Sequence, residues 1–222
     1  MASSRENPAN IDTCTRSTFQ AFVDALIPAT PDLSAPDATM GAESVGALEL
    51  LIHDFVIQEL DFSVSPLAGQ NLLETSPATA AAQLLDAAAV QFIQSGEARE
   101  PLDVYTFPGG GPFATLSRRD RLRAIDRLSM LDIDLGSLPP PYTNNSAFVE
   151  NVTVMFNLLA MFGFYSEWSG YGTTRRFSPD ERKLECFPLS WIQAGYPGRS
   201  LGYRALRGYL LKFPPKEGQT RW

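Results

Sequence analysis

The amino-acid sequence predicts an all-α fold, an irregular helical bundle that ends in a Gly-, Pro- and aromatic-rich C-terminal lobe. Apolar residues recur at the three- and four-residue spacing of an amphipathic helix in five separate stretches. Alternating β-branched runs, the mark of half-buried strands, are almost absent. No fixed repeat period appears, which argues against a solenoid. The 222 residues are enough for one sizeable core, and 44% hydrophobic against 19% charged residues is a globular composition.

Each element has a local reason. Met1 to Arg16 is polar and reads as a mobile tail, followed by a single helical domain over 17–222. Ser17 to Ile27 carries Phe19, Phe22, Val23 and Leu26 at helical spacing, with Ser17 or Thr18 as cap and Pro28 as stop. Val45 to Leu60 forms a second helix with Leu48, Leu51, Ile52 and Phe55 inward, and Glu49, His53 and Glu59 on the other side. Ala78 to Gln94 is an Ala-rich third. A loop over 97–113 holds the flexible run Gly109 to Gly111, and a fourth helix runs from Leu116 to about Asp132, capped by Ser117, with Leu122, Ile125 and Leu128 as its stripe. Pro139 to Pro141 is a stiff extended break. Ser146 to Tyr165, apolar on nearly all sides, is the central core helix, too short and too interrupted to span a bilayer. Beyond Gly163 the helical pieces are short, such as Pro179 to Glu185 and Leu201 to Leu211.

The rare residues limit the chemistry. One His and two Cys leave no ligand set for a zinc site and no disulfide framework, although a single Cys14–Cys186 bridge is open. His53 could act as a general base oriented by Glu49, but the chain places no nucleophile near it, so an exposed helix histidine is the favoured reading. Gly109 to Gly111 lacks the Lys-Ser/Thr of a phosphate loop. The acidic pairs Asp132/Asp134 and Asp180/Glu181 read as helix-end residues rather than metal ligands.

Charge is unevenly spread. The net −7 combines 8 basic and 21 acidic residues in the first 174 with 10 basic and 4 acidic residues after them. The basic, aromatic lobe over 174–222 suits either single-stranded nucleic acid or a protein interface. The acidic body would repel a polyanion, so a protein partner is expected, with no nucleic acid and no direct membrane insertion.

A resemblance follows from three stretches. Trp191-Ile192-Gln193-Ala194-Gly195-Tyr196-Pro197-Gly198 is similar to a signature of the gluconate 2-dehydrogenase subunit 3 family. The run from Phe19 to Pro28, ending Ala25-Leu26-Ile27-Pro28, resembles that family's opening helix, and Gly41-Ala42 with Val45 the entry to its second. The resemblance implies a non-catalytic small subunit that binds, stabilises and helps mature a larger flavoprotein of the glucose-methanol-choline class. The FAD belongs to that partner, so no cofactor ligand is assigned in this chain. Many members carry a twin-arginine leader that the opening residues here lack; the expected location is the cytoplasm as translated, with export alongside a partner left open. Gly195 and Gly198 bracket a tight turn that presents Tyr196. Trp191, Tyr196, Pro197, Gly198, Tyr203 and Arg204 are the expected partner contacts, while Trp191 and Tyr196 could equally pin the turn to the core. The rival readings are an independent helical enzyme and a small-molecule or nucleic-acid binding module built on the aromatic-basic lobe.

Overall fold

Asp12 sets the start of the first helix. In the computed structural model, which describes residues 11–30, 45–68 and 75–196, its carboxylate accepts from the Thr15 N–H at 2.8 Å. Helix α1 therefore runs Thr13–Leu26, four residues earlier than expected. Residues 13–16 are helical rather than tail, and Ser17 and Thr18, expected to cap the helix, are buried inside it. Phe19 and Phe22 then meet Phe156 edge-on at 6.2 and 5.6 Å between centroids, a cluster at the centre of the fold.

The second helix corrects the sequence reading most strongly. Residues 47–50 form a turn, Leu51 takes a left-handed φ of 56°, and α2 spans Ile52–Ala68. That one residue resets the helical phase. Leu51, expected inward, is exposed, and His53, expected outward, is 1% exposed. Helix α3 (Pro77–Gln94) is capped by Ser76, and its buried alanines let neighbouring helices approach closely. Short α4 (Pro112–Thr115) lies where part of the loop was expected.

Gly109 to Gly111 is a packed turn rather than a flexible connector. A Cβ on Gly111 would sit 2.1 Å from Asp86 Oδ2, so no larger residue fits there as packed. Helix α5 (Arg118–Ser129) has the expected Ser117 cap, yet buries Asp120 and Arg121 and exposes Leu122. Arg121 pays for its burial by bonding Asp24 Oδ2 at 3.2 Å and the Ala114 carbonyl at 2.8 Å, with its guanidinium 4.8 Å from the Phe107 ring centre. The prolines do not run extended: Pro140–Pro141 is cis, and Tyr142 N–H donates to the Pro139 carbonyl at 2.9 Å to close a turn.

Helix α6 (Ser146–Tyr165) has the expected limits, with Asn145 capping its start. It packs mainly on α2 and also on α5. At Gly163 a Cβ would come within 2.5 Å of Phe55 Cδ1, so glycine sets the closeness of the α2–α6 crossing. Twenty residues with a mean hydropathy of 1.5 over the most apolar window meet the length and composition of a bilayer-crossing helix, against the expectation. Only one side of α6 is in the core, through residues such as Val149, Val152, Phe156, Ala160 and Phe164. After it come a 3-10 segment Glu167–Thr174, a 3-10 turn Pro179–Glu181 and the short helix α7 (Leu189–Gln193). Among the described residues no strand occurs, and the fold is all-α.

Candidate functional site: an apolar face on the sixth helix

The outward side of α6 carries five large apolar side chains beside the polar Glu150, Asn151 and Asn157. Val154, Leu158, Met161, Phe162 and Tyr165 follow the i, i+4, i+7, i+8, i+11 pattern of one helical face, and all are exposed, Phe162 at 67%. Large apolar side chains clustered in this way mark an interaction surface, whereas the same residues scattered singly would mean little. The lower part of this face forms one wall of an open groove of about 670 Å³, completed by Ser166, Glu167, Trp191, Ala194 and Tyr196.

Trp191 and Tyr196 divide the two roles the sequence left open. Trp191 is 7% exposed, and its indole N–H donates to the Tyr165 carbonyl, the last of α6, at 3.0 Å. It pins α7 to α6. Its ring meets Phe187 at 5.4 Å and Tyr196 at 4.7 Å, both edge-on. Gly195 adopts a φ of 65°, the Tyr196 N–H returns to the Trp191 carbonyl at 2.8 Å, and the Tyr196 ring is left 44% exposed at the groove's edge. Pro197, Gly198, Tyr203 and Arg204 lie outside the described residues.

Three described cations of the lobe, Arg175, Arg176 and Arg182, reach back towards the body, while Lys183 is exposed. Arg176 bonds Asp54 at 3.0 Å, and Arg182 bonds Gln58 at 2.8 Å. The guanidiniums of Arg175 and Arg182 lie 5.7 and 5.3 Å from the buried Trp168 ring centre, and the Trp168 indole N–H donates to the Leu51 carbonyl at 3.0 Å. These arginines latch the lobe to α2. The sequence showed their charge but not their direction.

His53 is at the base of that latch. Its Nε2 is 3.7 Å from Asp54 Oδ1, and Asp54 is held by Arg16 at 3.1 Å as well as by Arg176. Burial pushes the imidazole pKa down to about 4, and Arg16, Arg176 and Arg175 reinforce this against the pull of Asp54. His53 is therefore neutral near pH 7, and its Nδ1 has no hydrogen-bond partner among the described residues. Both the exposed position and the Glu49 pairing are corrected: Glu49 instead accepts from the Gly46 N–H at 3.1 Å.

Asp86, which sequence reasoning missed, is a buried carboxyl with a strongly raised pKa. Burial lifts its pKa to about 6, opposed by the Phe113 N–H at 3.1 Å. The Cys14 thiol lies 4.0 Å away. Cys14 and Cys186 are both exposed and unpaired, so no bridge joins them. Asp134 caps the 3-10 turn Leu135–Ser137 through the Gly136 N–H at 3.0 Å, Asp132 pairs with Arg127 at 3.3 Å, and Glu181 accepts from Ser178 at 2.9 Å. Among the described residues no cluster of His, Cys, Asp and Glu could hold a metal ion. Comparison with family models, curated proteins and solved structures finds no match to this chain.

Proposed function

We propose that the chain is a non-catalytic subunit whose exposed α6 face docks a larger protein, stabilising it and helping it mature. The observation that carries this is the continuous row Val154, Leu158, Met161, Phe162 and Tyr165, which leads without a break into the Tyr196 groove. The described part of the resemblance, Trp191 to Tyr196, falls at that groove's edge. It supplies the partner: a flavin-dependent oxidoreductase of the glucose-methanol-choline class, acting on sugars, sugar acids or related alcohols, with the FAD in the partner.

The test is expression of the chain together with its natural gene neighbours and purification through a tag on this chain. The expected eluate is yellow, with a larger polypeptide in fixed ratio, and Leu158→Asp with Phe162→Asp abolishes its recovery. A colourless, solitary chain would remove the flavoprotein reading. Undiminished recovery with the double variant would move the interface off α6.

A further inference from the structure

We infer, building on the docking reading, that the α6 face takes an amphipathic helix of the partner protein, apolar along one side and basic at both ends. The apolar row sets the shape. From Val154 to Tyr165 it runs about 17 Å along the helix, or about three turns. Its lower part faces Trp191, Ala194 and Tyr196 across the groove. A straight row on one wall with aromatic rings on the other suits a second helix laid along α6, its side chains entering the groove at three- and four-residue spacing.

Charge selects the kind of helix. Glu150 is exposed and continues the row one turn before Val154, and Glu167 lines the groove beyond its other end. Neither carboxylate is in an ion pair among the described residues, and α6 carries no basic side chain. The negative end of the α6 dipole adds to Glu167. The row is therefore closed by negative charge at both ends. A second copy of the chain would bring Glu150 against Glu167 with the rows antiparallel, and acid against acid at each end with them parallel. Like charges juxtaposed in this way repel. The headgroups of an anionic membrane are disfavoured for the same reason. A helix with Lys or Arg at both ends, about four turns apart, meets opposite charge whichever way it runs.

Two synthetic peptides test this on the full chain. Both form an amphipathic helix of about five turns with the same Leu- and Phe-bearing side, one with Lys at both ends and the other with Glu. Fluorescence anisotropy in low salt should show the Lys-ended peptide binding about tenfold tighter. Leu158→Asp with Phe162→Asp should abolish that binding. Glu150→Gln with Glu167→Gln should bring the two peptides within about twofold of each other. Glu100→Gln with Asp126→Asn, the same change of net charge at exposed acids off the row, should leave the preference intact. Equal binding of both peptides, binding of neither, or a preference that survives Glu150→Gln with Glu167→Gln would overturn the proposal. So would a dimer of the chain that Leu158→Asp dissolves, which would seat a second copy on the face. Flavoprotein recovery is read separately, so either proposal can fail alone.

Discussion

His53 and Asp86 give folding stability opposite pH dependences. The unfolded chain protonates His53 near pH 6.5, the folded protein only near 4, so its contribution is lost as pH falls through that window. Asp86 titrates near 3.8 when unfolded and near 6 when folded, so its contribution is gained as pH falls from 6 towards 3.8. The two offset each other in the natural chain. Urea unfolding should show Asp86→Asn losing stability more steeply below pH 6.5 than the natural protein, and His53→Gln more stable at about pH 5 than at about pH 7. Parallel curves for all three proteins would contradict this. At the other buried charge, Asp24→Ala strands the Arg121 guanidinium and should cost about 3–5 kcal/mol. Arg118 also pairs with Asp24, at 2.6 Å, but is half exposed, so Arg118→Ala should cost under about 1 kcal/mol in the same experiment.

At the scale of elements, α6 is where sequence and structure can be compared most directly. Its limits were legible because an apolar run between a capping Asn145 and a Gly- and Ser-rich stretch has one reading. Its two faces were not: with Phe156 and Phe162 equally apolar, no periodicity separates the side in the core from the side in solvent. The α2 register was hidden for a different reason, since a positive φ at Leu51 leaves no signature in a leucine-rich segment. Arg175, Arg176 and Arg182 announced a basic lobe, but the carboxylate that Arg176 meets, Asp54, comes from a distant part of the chain, and no local pattern marks the nearby Trp168 as the ring that Arg175 and Arg182 cover. Trp191 and Tyr196 were singled out because the Gly195-Tyr196-Pro197-Gly198 sequence is a local signal. The α2–α6 crossing yields its own expectation. Gly163→Ala pushes a methyl onto the Phe55 ring and should destabilise by about 1–3 kcal/mol. Adding Phe55→Leu should return part of that loss, and an additive double variant would show that the two positions do not touch in solution.

For the molecule as a whole, the net charge of −7 describes neither part of it well. The lobe's described arginines hold it to the body, and the described face proposed for a partner, the α6 row, is apolar rather than basic. Binding through such a face should depend weakly on salt, unlike the steep dependence of a phosphate-binding surface. The most direct test is the affinity of the purified chain for the flavoprotein proposed as its partner, measured for the natural sequence and for Leu158→Asp with Phe162→Asp. Both positions are mostly exposed, although the Phe162 ring also meets Phe55 at 5.9 Å, so the urea midpoint should fall only slightly, while the loss of two apolar anchors should weaken binding by about 100-fold or more. Unchanged affinity in a correctly folded double variant would contradict the assignment of the α6 face as the docking surface.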